Sequence, residues 1–89
     1  MMNYSVKISD DAQKDLNKID HYQRRRIIAW LEKNLEGCQK PRDYGKPLRH
    51  GLKDFWSYRV GDYRILADIV DDLVLIEVVK VGHRKHSYE

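Results

Sequence analysis

Polar and apolar residues alternate from Tyr4 to Ile8, with Tyr4, Val6 and Ile8 on one side, and this period of two predicts a short strand. The period then lengthens. Ser9 is a good helix N-cap, Asp10 and Asp11 sit where the helix dipole favours negative charge, and Ala12, Leu16 and Ile19 recur at helical spacing. Asp20 interrupts this pattern and is placed to cap a second helix. In that helix Ile27, Leu31 and Leu35 mark one face, Ile28 and Trp30 lie beside it, and Gly37 ends it. From Gln39 to Asp54 the periodicity dissolves among Pro41, Gly45, Pro47 and Gly51, which predicts a loop. Three strands are expected beyond it: Phe55 to Val60, Tyr63 to Val70 after a tight Gly61-Asp62 turn, and Leu73 to Val81 after an Asp71-Asp72 turn. The last is the longest and richest in β-branched residues, so it is expected at the centre of the sheet. The order β-α-α-β-β-β predicts an α+β fold in which two N-terminal helices pack on one face of an antiparallel sheet and leave the other face partly open.

Size and composition narrow the function. Eighty-nine residues make one domain, spanning residues 1–89. A domain this short buries roughly two thirds of its unfolded surface, so a partner covering apolar surface would stabilise it. The longest apolar stretch, Leu73 to Val81, is interrupted by Glu77 and Lys80 and falls short of the roughly eighteen apolar residues of a membrane span. The N-terminus lacks a basic start and an apolar core of the signal-peptide kind, so a cytoplasmic location and no membrane partner are expected. The single cysteine, Cys38, excludes an internal disulfide framework and a cysteine-rich zinc site. No phosphate-binding GxxxxGK[ST] or GxGxxG motif is present, and His83 and His86 lack the further ligands of a metal site nearby in sequence. Neither a cofactor nor a metal is expected.

The formal net charge of +3 permits an anionic partner without demanding one. Its distribution says more. Arg24, Arg25 and Arg26 form one run, and Lys80 to His86 forms another. Arg59 and Arg64 flank the short Gly61-Asp62 turn and are expected to lie close together, with Ser57 on the same face as Arg59. An antiparallel pairing brings the end of the last strand, and so Arg84, toward Arg64. Arginines, histidines and Tyr88 at one sheet edge suit RNA phosphodiester cleavage without a metal. Attack by the 2′-OH builds negative charge on the phosphate oxygens, which guanidinium groups support in bidentate fashion. His83 and His86 are the candidates for proton transfer, because imidazoles titrate near neutrality. The ordinary readings stand beside this one: an arginine on a strand edge is usually solvated, Arg24 to Arg26 make a solvated helix face, and Trp56 and Tyr58 are core or interface aromatics.

The stretch KPLRHGLKDFWSYRVGDYRIL, from Lys46 to Leu66, and the closing VKVGHRKHSY, from Val79 to Tyr88, resemble the RelE/ParE toxin superfamily. The resemblance extends over the whole chain. It implies a RelE-like fold and a cognate antitoxin of the RelB kind that wraps the toxin. It also implies one of two activities. RelE-like members enter the ribosomal A site, cleave mRNA through 2′-OH attack and so inhibit translation. ParE-like members share the fold, lack the catalytic set and poison DNA gyrase. Position by position, Arg64 matches the arginine that stabilises the transition state, and Arg84 the one assigned to charge stabilisation or leaving-group protonation. Arg59 matches a basic strand position, Tyr88 the C-terminal tyrosine that stacks on or helps activate the substrate, and His83 a position that is often histidine. Lys46, Arg49, Lys53 and Lys85 are by the same resemblance expected to contact RNA. One departure is Ser57, which stands where ribonuclease members commonly carry Lys or Arg; His86 is the candidate to compensate. The leading expectation is therefore a ribosome-dependent endoribonuclease toxin, the alternative a gyrase inhibitor, and the third a nucleic-acid-binding or interaction domain without catalysis.

Overall fold

The computed structural model describes residues 2–51 and 53–83. The elements are β1 (Ser5–Ile8), α1 (Asp10–Lys18), α2 (His21–Asn34), a 3-10 turn (Pro41–Tyr44), β2 (Lys46–His50), β3 (Lys53–Val60), β4 (Tyr63–Val70), a second 3-10 turn (Asp71–Leu73) and β5 (Leu75–His83). Both helices start as their caps predict. The Ser9 hydroxyl accepts from the Ala12 N–H at 3.1 Å, and the Asp20 carboxylate accepts from the Gln23 N–H at 3.0 Å. Each cap satisfies an amide that the first helical turn leaves without a partner.

The five strands lie in the order β1-β5-β4-β3-β2. Two helices on one face of this sheet make the expected α+β fold. The sheet is mixed, however, because β1 runs parallel to β5, with Ser5 opposite Leu75 and Ile8 opposite Val78. The segment read as a loop from Gln39 to Asp54 contains a 3-10 turn and a complete edge strand, β2. Pro47 signals a break in a central strand, but at an edge its missing N–H leaves no ladder bond unmade. The centre of the sheet belongs to β4 and not to β5. β5 also begins later than its β-branched pattern suggests, because Asp71–Leu73 coil into a turn that closes through Val74.

Alternation along the strands separates the two faces. Tyr58, Val60, Ile65, Ala67, Ile76, Val78 and Val81 point toward the helices and form the core with Ala12, Leu16, Ile27, Leu31 and Leu35. Burial of these side chains is the main force holding the helices on the sheet. Between Leu66 and Ala67 the β4–β5 register shifts and leaves Val79 as an extra residue in β5. There β1 has ended, and α1 takes over the exposed β5 edge. The Ser9 N–H donates to the Val78 carbonyl at 2.9 Å, and the Asp15 carboxylate accepts from the Val81 N–H at 3.0 Å. On the outer side of β1, Cys38 and Glu36 accept from the Tyr4 and Val6 amides, and the Gly37 N–H donates to the Tyr4 carbonyl. Both flanks of the parallel pair are thereby covered. Cys38 is half-buried, and burial is the main cause that pushes its thiol pKa up, away from a reactive thiolate. Among the described residues no helix is long and apolar enough to cross a membrane.

Val74 has φ +50°, the left-handed region that a β-branched residue adopts only at a cost of about 1–2 kcal/mol. The Val74 carbonyl nonetheless accepts from the Ser5 N–H at 3.0 Å, so the strain sits where the β1–β5 register begins. Val74→Asn, which tolerates this conformation better, is expected to raise the stability by about 0.5–1 kcal/mol in urea denaturation; a loss of stability would mean that half-buried Val74 contributes more by packing than its backbone costs.

Candidate nucleic-acid interface

The face of the sheet turned away from the helices carries the cationic chemistry. β3 and β4 are joined by a two-residue turn with Gly61 at φ +59°, the positive value at the first central position that glycine supplies in a type II′ turn. The turn sets Arg59 directly opposite Arg64. Like charges at such a pair disfavour the hairpin unless an anion lies between or beside them. On the other side of β3, Ser57 is opposite Lys46 of β2. Lys46, Ser57, Arg59 and Arg64 line one cavity of about 470 Å³, and Asp43, Tyr44 and Gly45 close its remaining side. A cavity of this size, with two arginines and a lysine in its lining, suits an extended phosphodiester.

The segment that closes the cavity is tied down from beneath. Buried Tyr58 donates its phenolic hydrogen to the Pro41 carbonyl at 2.7 Å, and the Trp56 indole donates to the Arg42 carbonyl at 3.1 Å. Burial is the leading cause that pushes the Tyr58 pKa far up, so the phenol stays a neutral donor. Arg42 lies over the Trp56 ring, 5.9 Å from its centroid, and makes a bidentate pair with Asp71 at 3.1 and 2.9 Å. The Tyr4 hydroxyl donates to the same carboxylate at 2.7 Å. These bonds, Arg42 first and Tyr4 second, hold the Asp71 carboxyl below the usual carboxylate range. The same contact with Asp71 raises the pKa of Tyr4 and of Arg42. Gly45 then presses onto β3. A Cβ built there would collide with the Ser57 carbonyl oxygen and approach a Tyr58 ring carbon to 2.8 Å.

The remaining residues singled out from the sequence fall elsewhere. Arg49 lies on the opposite side of β2 from Lys46 and faces Asp54, 3.9 Å away. Lys53 pairs with Asp68 at 2.9 Å and lies over Phe55, at the far end of the hairpin from Arg59. His83 pairs with Tyr63 in register and meets its ring edge-on, with centroids 5.4 Å apart. Alternation puts that pair on the helix-facing side, whereas Arg64 and Gly82 take the open side. Arg84, Lys85, His86 and Tyr88 lie outside the described residues. Asp43, Tyr44 and Gly45 also line the cavity, and little in the sequence singles them out as site residues. Their only signal was a glycine two residues beyond Asp43 in a stretch that reads as a featureless loop.

Two outcomes follow from this anchoring. Gly45→Ala is expected to cost about 1–3 kcal/mol, as overpacking does in a close contact, and to displace the start of β2 with Lys46; thermal denaturation and the amide shifts of residues 45–47 read both. The Arg42–Asp71 pair is about half exposed, so its contribution is within about 1 kcal/mol. Because the folded pKa of Asp71 is depressed, that contribution is fully present above the ordinary carboxylate value of about 3.9 and lost as pH falls through the lowered one. The stability gap between the wild type and Asp71→Asn should accordingly be constant from neutral pH to about 5 and shrink below about 4.

Comparison with known proteins agrees with this architecture. Residues 6–88 match the family described as the ParE toxin of the type II toxin-antitoxin system, parDE. The chain is 34% identical to Toxin RelG of Mycobacterium tuberculosis over 98% of both chains. It is 31% identical to Toxin RelE of the same organism, over 96% of this chain and 86% of that one. Among solved structures, the RelBE2 toxin-antitoxin complex of M. tuberculosis matches with a TM-score of 0.76 and 29% identity, covering 93% of this chain and all of the other. The archaeal RelE-RelB complex of Pyrococcus horikoshii matches with a TM-score of 0.73 and 26% identity, covering 97% of this chain and all of the other. With a fold and a full-length match in common, the chain belongs to the RelE/ParE family of toxins of type II toxin-antitoxin systems.

Proposed function

We propose that this toxin is a ribosome-dependent endoribonuclease that cleaves mRNA in the A site and thereby inhibits translation. The observation that carries the reading is the convergence of Lys46, Arg59 and Arg64 on one cavity at the open face. In the reaction the 2′-OH loses its proton to a general base and attacks the adjacent phosphorus. The P–O5′ bond breaks, the leaving 5′-oxygen takes a proton, and a 2′,3′-cyclic phosphate remains. Arg59 and Arg64 stabilise the charge that builds on the non-bridging oxygens, and Lys46 holds a neighbouring phosphate. The resemblance assigns further roles to Arg84 and Tyr88, and His86 is the candidate to compensate for Ser57, while Lys85, Arg49 and Lys53 are directed toward ribosomal or messenger backbone. His83 acts at one remove: it packs on Tyr63 behind the hairpin and serves to position the strand end that leads into Arg84. A metal or cofactor has no part in the reaction as written.

A RelB-like antitoxin is the proposed protein partner, supported by the RelB complexes of the similar toxins. A cytosolic ribonuclease that acts on ribosomes needs such a partner to accumulate, and the ribosome places its action in the cytoplasm. The family's second activity, inhibition of DNA gyrase, is favoured by one feature: Ser57 contributes no charge to the cavity wall that Lys46 and Arg59 share.

Purified toxin added to a reporter mRNA with translating ribosomes should produce primer-extension stops within A-site codons, and none when ribosomes are omitted. Protein that binds its antitoxin, leaves mRNA intact under both conditions and blocks gyrase supercoiling would establish the second activity instead.

A further inference from the structure

The cavity that Lys46, Arg59 and Arg64 line is also lined by Asp43 and Tyr44, to which the cleavage reading gives no task. Tyr44 is 46% exposed, which is high for an aromatic of its size. Its backbone is nonetheless fixed. The Asp43 N–H donates to the Lys40 carbonyl at 3.1 Å, the Pro41 and Arg42 carbonyls are bound by Tyr58 and Trp56, and Gly45 abuts the Ser57 carbonyl. A rigid backbone thus presents a ring that the core does not use. The lining is also mixed in charge: the arginines of β3 and β4 attract phosphate, while the Asp43 carboxylate, next to Tyr44 in the chain, repels it. A nucleotide has the complementary mix, an anionic phosphate and a flat neutral base. A volume of about 470 Å³ is within the range of about 300–1,000 Å³ typical of sites for small ligands.

We propose that Tyr44 is a stacking platform for a nucleobase of the RNA, next to the phosphate held by Arg59 and Arg64. The inference rests on the RNA-cleavage reading and adds a substrate-binding residue to it. Stacking on an aromatic ring tolerates any base, because every base has a π-face. Removing the ring should weaken substrate binding by about 5- to 150-fold, the range that base–aromatic stacking supports. The phenolic hydroxyl is not required, so Phe or Trp should serve in place of Tyr.

The test uses ribosomes programmed with an mRNA that carries 2-aminopurine in the A-site codon and a 2′-O-methyl group at the scissile nucleotide, so that binding is read without cleavage. Unmodified mRNA gives KM and kcat in parallel. Wild-type toxin should quench the 2-aminopurine fluorescence and cut the unmodified message. Tyr44→Ala should lose most of the quenching and raise KM with kcat little changed, whereas Tyr44→Phe and Tyr44→Trp should retain both properties. Circular dichroism and antitoxin affinity report whether each variant is folded. Equal quenching and KM for Tyr44→Ala and wild type would overturn the proposal. So would a defect in Tyr44→Phe as large as in Tyr44→Ala, or a Tyr44→Ala variant impaired only in antitoxin affinity, which would make Tyr44 an antitoxin contact. If wild-type toxin neither cuts nor quenches, the cleavage reading itself fails and the stacking role falls with it.

Discussion

Tyr58 is the point on which the structure turns. Its ring is fully buried against Trp30 of α2, with centroids 5.6 Å apart, so it joins the helix layer to the sheet. Its hydroxyl is bound to the Pro41 carbonyl, so it also fixes the segment that walls the cationic cavity. A buried phenol without an acceptor costs about 1–3 kcal/mol, and the Pro41 carbonyl meets that need. Because side chains alternate along β3, the residues on either side of Tyr58 face outward. They are Ser57 and Arg59, both in the cavity wall. The largest fully buried side chain of the core therefore holds two outward positions of the cavity wall.

The open face carries a cost that the core offsets. Arg59 and Arg64 stand opposite one another across a two-residue turn, an arrangement that favours neither the hairpin nor the isolated protein. A fold selected for stability alone would place opposite charges there, as Lys53 and Asp68 are paired at the other end of the same hairpin. The two ends of one hairpin thus differ: one carries a pair of opposite charges, the other two like charges set in register. That difference explains why the toxin's basic character is more informative than its modest net charge. The charge matters where the backbone concentrates it, and only part of the chain's cationic content is so placed.

Much of this was legible in the residues. Ser9 and Asp20 cap helices, Ala12, Leu16, Ile27, Leu31 and Leu35 turn inward, and the Gly61-Asp62 turn puts Arg59 beside Arg64. These features depend on local chemistry or on a fixed period, which sequence displays directly. What could not be read depended on neighbours distant in the chain. β2 was hidden by Pro47 and Gly45, whose meaning changes at a sheet edge and under a tight contact with Ser57. The parallel pairing of β1 with β5 joins segments some seventy positions apart, and no periodicity announces it. His83 had the right residue type for acid–base chemistry, but the β4–β5 register turns it to the face with Tyr63. Tyr44 was unremarked because its exposure, its anchoring and its place in the cavity are all consequences of Tyr58, Trp56 and Asp71 acting on its neighbours.

In the proposed reaction the Arg59–Arg64 pair supplies the electrostatic stabilisation for cleavage. Single-turnover cleavage of ribosome-bound mRNA by wild-type toxin, Arg59→Ala and Arg64→Ala tests it most directly, with antitoxin affinity as the control for folding. A fall on the order of 10²-fold or more is expected for Arg64→Ala and a smaller but clear fall for Arg59→Ala, with antitoxin binding retained. Rates within about threefold of wild type for both variants, too small a change for loss of a group that stabilises transition-state charge, would contradict it.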